Sequence, residues 1–266
     1  MSAVEGGRAR TGSRTDPSPV LAAATVLLQI CYPLVRGDAR DLLTVVTVGV
    51  FFLASTSHAL VHRGARWTGL YVLVTAGGGL LAEAVGTATG VPFGAYDYAD
   101  SLGPKLLGVP VVIPLAWGMF AYPCLVVGQR LARTPLGAAA VGGFALASWD
   151  LFLDPQMVEA GHWRFADVTA SLPGAPGIPI SNYLGWLLVA WLMLGLLQLL
   201  GRSAQEVGTA DDRVPGALFL WTWGSSVLAN AVFFGRPLVA LTGGVVMGLV
   251  AVPYARSFAS TAVRSS

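Results

Sequence analysis

Runs of mainly apolar residues recur along the whole chain, each close to the roughly 20 residues that a membrane-spanning helix needs. Eight such runs lie near 18–35, 42–62, 67–88, 109–129, 135–153, 182–200, 214–234 and 237–254. They predict an all-α polytopic bundle of about eight transmembrane helices, forming one domain over 17–256 between tails at 1–16 and 257–266. Composition agrees, since 55% of the residues are hydrophobic and 11% charged, whereas soluble domains carry about 25% charged residues. A net charge of +2 is too small to draw a nucleic acid. Cys31 and Cys124 both fall inside apolar runs, which suggests packed thiols rather than a disulfide. The polar first tail, with Arg8, Arg10 and Arg14, is expected to be disordered. The apolar run after it leads straight into R36-G-D-A-R, so a retained first helix is expected rather than a cleaved signal peptide.

Basic residues orient the chain. The N-terminal tail, the second, fourth and sixth linkers and the C-terminal tail hold Arg8, Arg10, Arg14, Arg63, Arg66, Arg130, Arg133, Arg202, Arg213, Arg256 and Arg264. The opposite side holds Arg36, Arg40, Lys105, Arg164 and Arg236. The positive-inside rule then puts both termini in the cytoplasm of a multi-pass cell-membrane protein. Two long linkers, near 89–108 and 154–181, are rich in Gly, Pro and aromatic residues and fall on the outer side.

Each long linker leads into a similar string: G108-V-P-V-V-I-P-L-A-W117 and G177-I-P-I-S-N-Y-L-G-W186. Gly, Pro, Leu and Trp recur at the same offsets. Helices 3–4 therefore read as a diverged copy of helices 5–6, an internal repeat of the kind common in membrane folds with a central site.

Carboxylates interrupt this apolar sequence where the copies correspond. Glu83 lies near the end of helix 3, and Asp150 and Asp154 near the end of helix 5, four residues apart and so on one helix face. A charge in mid-membrane costs about 2.5–3.5 kcal/mol on insertion scales, so such residues face a protein interior or a wet cavity. Asp154 has a plainer reading as the helix end before Pro155. Carboxyls gathered in an apolar cavity can divide labour, one keeping its proton as a general acid while another acts as base. Phe93, Tyr96, Tyr98, Trp117, Trp149, Trp163, Asn182 and Trp186 cluster around them in the sequence. Each aromatic alone suits an interface anchor; together, their ring faces can stabilise a carbocation. Asn230 is a further buried polar candidate. His58 and His62 form an H-x-x-x-H pair far from His162, and packing or headgroup contact explains them better than a metal. The chain carries no Walker loop, dinucleotide fingerprint or serine-nucleophile elbow.

The strings E83-x-x-G-x-x-T-G-x-P-F-G-x-Y-x-Y98, G108-V-P and W149-D-L-F-x-D-P-x-M-V-x-x-G-x-W163 resemble the carotenoid biosynthesis membrane protein family. Its characterised members are CruF-type carotenoid 1,2-hydratases, including archaeal bisanhydrobacterioruberin hydratases. The resemblance implies addition of water across the terminal C1–C2 double bond of an acyclic carotenoid end group. It implies a carotenoid within the lipid bilayer and water as substrates, other carotenoid-pathway enzymes as partners, and no cofactor. Among the carboxylates, Asp150 is the expected proton donor, with Asp154 and Glu83 positioning or activating water. Two other functions fit the same residues: a different end-group enzyme such as a lycopene cyclase, and a proton-coupled membrane carrier.

Overall fold

The structure is a computed structural model that describes residues 15–204 and 212–264. The expected N-terminal tail thus lies almost wholly outside the described residues. Helix α1 (Ser18–Cys31) starts behind Pro17 and tightens into a 3-10 turn at Tyr32–Leu34, around Pro33. Even with that turn it is shorter than the rest. Among the described residues, seven helices are long and apolar enough to cross a membrane: α2 (Asp38–Arg63), α3 (Ala65–Thr89), α4 (Val112–Leu131), α5 (Pro135–Glu159), α6 (Ile180–Ala204), α7 (Arg213–Phe233) and α8 (Pro237–Arg264). The eight expected spans become seven plus a shorter apolar helix, and α8 runs on past the expected boundary at 256.

Local chemistry sets the ends. Gly37, at φ 62, precedes α2, whose first turn carries Asp38 and Asp41 and whose last carries His62 and Arg63, matching the helix dipole. Thr134 caps α5 by accepting from the Gly137 N–H at 3.1 Å, with Pro135 in the first turn. The expected end of α5 near 153 is not where the helix stops. It passes through Asp154 and Pro155 to Glu159, because the burial of Phe152, Asp154 and Met157 outweighs the one backbone donor that proline removes.

Helix α4 is the axis of the bundle, most of its span being buried. It packs on α2 and α5; α5 also packs on α6 and α8, and α1 leans on α2. Gly142 and Gly143 of α5 let Cys124 of α4 and Trp191 of α6 approach closely, the small-residue contact that membrane helices use. The outward surface is aliphatic, with Leu53, Leu81, Leu192, Leu199, Leu241 and Leu249 all exposed. This is the surface of a multi-pass membrane protein. Cys124 is buried, but Cys31 is exposed, so only one thiol is packed.

The two long linkers meet at one end of the bundle. Strand β1 (Tyr96–Tyr98) pairs antiparallel with β4 (Trp163–Phe165), in the register Tyr96↔Phe165, Asp97↔Arg164 and Tyr98↔Trp163. Between them, β2 (Lys105–Leu106) and β3 (Val109–Pro110) form a hairpin. Its turn needs positive φ at Leu107 (54°) and Gly108 (82°), which explains the glycine of G108-V-P.

Candidate active site

Glu83, Asp150 and Asp154 are 3%, 0% and 2% exposed, so each carboxyl depends on protein partners. Three donors hold Glu83. Tyr96 and Tyr98 donate their hydroxyls to Oε2, Tyr98 at 2.7 Å, and Trp117 donates its indole N–H to Oε1 at 2.9 Å. Burial, and then the neighbouring Glu83 charge, push both tyrosines well above their ordinary range, so they remain hydrogen-bond donors. Space for this arrangement comes from glycines on α3: a Cβ at Gly79 would meet the Trp117 ring at 2.9 Å, and one at Gly86 would meet Phe93 at 2.8 Å and the Tyr96 hydroxyl at 2.9 Å.

The other two carboxyls share one amide. Asn182 Nδ2 donates to Asp150 Oδ2 at 2.8 Å and also to Asp154 Oδ2. Asp154 Oδ1 accepts from the Trp163 indole at 3.1 Å, whereas Asp150 Oδ1 has no partner among the described residues. Aromatic rings enclose the group. Trp117 and Trp186, the last residues of the two similar strings, stack at 3.9 Å and 17°. Trp149 meets Trp186 edge-on at 6.2 Å, and Tyr98 meets Trp163 at 5.7 Å.

Together these residues wall a small cavity of about 30 Å³, lined by Glu83, Asp154 and Asn182 with Phe93, Tyr96, Tyr98, Trp117, Trp163 and Trp186. Nine of the eleven residues expected from the sequence therefore share one cavity. Trp149 lines a larger neighbour instead, and Asp150 is in the wall of neither. Phe165, Ile113, Ala116 and Leu153 also line the small cavity and were not anticipated. Y96-D-Y98 and W163-R-F165 alternate aromatic and charged residues, a strand signal that would have pointed to Phe165.

The remaining polar candidates lie elsewhere. His58 stacks on His62 at 4.1 Å; His58 Nδ1 is 2.8 Å from the Tyr122 hydroxyl, and His62 Nε2 is 3.1 Å from Asp16. Asn230 is buried in a π-turn and donates to the Ser226 carbonyl at 3.0 Å, outside both cavities.

The chain is 31% identical over 173 residues to the bisanhydrobacterioruberin hydratase of Haloarcula japonica, a match covering 60% of this chain and 56% of that protein. It thus spans a little over half the length of this relative. No solved structure matches the chain. The family described as "Carotenoid biosynthesis protein" matches residues 42–251, a stretch that contains every residue of both cavities from Glu83 onward. By this match over most of its length, the chain belongs to the carotenoid biosynthesis protein family.

Proposed function

We propose that the protein is a carotenoid hydratase of the cell membrane, adding water across the terminal C1–C2 double bond of an acyclic end group. One observation carries this reading: two buried carboxyls, Glu83 and Asp154, and a set of aromatic side chains line a cavity inside a membrane bundle, with a third buried carboxyl, Asp150, held beside Asp154 by Asn182. The relative's name supports the reaction class.

The chemistry needs a proton donor, a cation-stabilising wall and a base. The Asp150–Asp154 pair, with one shared amide donor, suits two carboxyls that hold one proton between them, because like charges this close repel. Asp154 faces the cavity and is the donor in this scheme, with Asp150 behind it. This moves the delivering atom from Asp150, the choice made on sequence, to its partner. The π electrons of the double bond take the proton at C2, leaving a tertiary cation at C1 beside the ring of Trp163, which borders both cavities. Water forms the C1–O bond, and its proton passes to a carboxylate. Glu83 suits that task, since an ionised carboxylate is acceptor-only and three donors already aim at it. A proton returned to the aspartate pair closes the cycle with one water consumed and no change in oxidation state.

The test is expression in a lycopene-producing host, followed by mass analysis of the pigments. The expected product is heavier than its precursor by one water or two. A product of unchanged mass and altered spectrum would indicate cyclisation, and unaltered pigment with lycopene, γ-carotene and longer-chain precursors would overturn the proposal.

A further inference from the structure

Beside the acid cavity lies a chamber about five times larger, of about 150 Å³. The two share four wall residues, Ile113, Ala116, Leu153 and Trp163. Leu153 and Asp154 are consecutive on α5; the first walls both spaces and the second only the acid cavity. Trp163 works similarly, its indole N–H fixed on Asp154 while the residue borders the chamber. Ala116 is the smallest of the four.

Size separates the contents. A water needs at least about 10–15 Å³ and two to four polar partners, whereas a dry apolar cavity of about 150 Å³ holds benzene. The acid cavity, at about 30 Å³ with Glu83, Asp154, Tyr98 and Asn182 in its wall, meets the first condition and is too small for a branched hydrocarbon. The chamber matches the second in volume, and most of its wall is apolar, although Gln29, Gln156, Ser225 and Ser226 also line it. Val48, Val112, Met119, Phe152 and Met157 supply apolar wall. Of its three threonines, Thr47 has a buried hydroxyl without a partner among the described residues, and the other two are less polar than they look. Thr44 and Thr222 donate their hydroxyls to their own helices, at the Arg40 carbonyl (2.9 Å) and the Leu218 carbonyl (2.8 Å), and so satisfy their polar atoms locally.

Resting on the hydratase reading for its ligand class, we propose that this chamber binds the terminal isoprenoid unit of a linear polyene, while the acid cavity takes the water. The reacting double bond then sits at the Ala116–Leu153 partition, between hydrocarbon on one side and carboxyls on the other.

The experiment measures lycopene binding to the purified, detergent-solubilised protein by induced circular dichroism in the visible band, with pigment mass analysed in parallel. Thr47→Phe on α2 and Ser226→Phe on α7 fill the chamber from separate walls without touching the acid cavity. Each is expected to weaken binding roughly tenfold or more, since a phenyl ring takes most of the room, and Ser226→Val is expected to give a smaller loss. Far-UV spectra check that the variants stay helical. Asp154→Asn is expected to bind lycopene while forming no product. Wild-type protein that fails to bind, or binding indifferent to side-chain volume at Thr47 and Ser226, overturns the chamber. Binding that follows volume in a protein that hydrates none of lycopene, γ-carotene or a longer-chain precursor leaves the chamber standing and removes the hydratase reading instead.

Discussion

The amide nitrogen of Asn182 lies 2.8 Å from Asp150 Oδ2, joining residues 32 positions apart in the chain. The same nitrogen serves Asp154, so one side chain from the start of α6 holds two carboxyls of α5 together. Replacing it with leucine would leave two buried acceptors short of a donor. Asn182→Leu is expected to cost about 1–3 kcal/mol of stability, the usual penalty for a buried polar group left unsatisfied. Thermal unfolding in detergent checks this; an unchanged midpoint would mean that the amide holds nothing.

Removing either aspartate's charge tests their division of labour. Asp154→Asn is expected to lower turnover by about 10²–10⁴-fold, the range general acid catalysis supplies. Asp150→Asn should also abolish most product, through the shared proton, while the protein still inserts. Product yield per folded protein decides between them. Full activity in Asp150→Asn with none in Asp154→Asn would show that Asp154 works alone.

The glycine at 86 makes a sharper point, because it carries no chemistry of its own. Gly86→Ala places a methyl against Phe93 and the Tyr96 hydroxyl, and Tyr96 must then shift from Glu83. A marked drop in turnover is expected. Gly195→Ala, where nothing lies within 4 Å of the new methyl, serves as the control and should behave as wild type.

The tyrosines make a prediction about pH. Tyr96 and Tyr98 are both pushed above the ordinary tyrosine value by burial, with the Glu83 charge adding to it. A raised value means that the protonated, donating form persists to higher pH. Activity should therefore show no loss from tyrosine ionisation as pH rises to about 10, where an unperturbed tyrosine is half ionised. Tyr98→Phe should lower activity without moving the alkaline limb of the profile. A limb near the ordinary tyrosine value that disappears in Tyr98→Phe would show that this hydroxyl titrates freely.

Much of this protein is legible from hydropathy alone, since a helix in lipid must satisfy its own backbone and hide its polar side chains. That rule located the spanning helices and marked Glu83, Asp150 and Asp154 as residues with a reason to be there. It placed the first helix at 18–35, close to the observed Ser18–Leu34, although that helix is shorter than the other seven; it misjudged the end of α5, where Pro155 looked like a stop and is not. At α5 the outcome depended on neighbours that a single run of residues does not reveal.

The sequence by itself determined the membrane class, the family motifs and the kinds of side chain at the site. Only the tertiary structure decided which carboxyl faces the cavity. Asp150 and Asp154 sit on one helix face, yet Asn182 and Trp163 turn Asp154 toward the cavity wall and Asp150 stays behind it. The β1–β4 ladder likewise brings Tyr98 against Trp163, 65 residues later in the chain. Such choices arise from contacts between segments distant in sequence, whereas hydropathy and helical spacing record only what each segment does on its own.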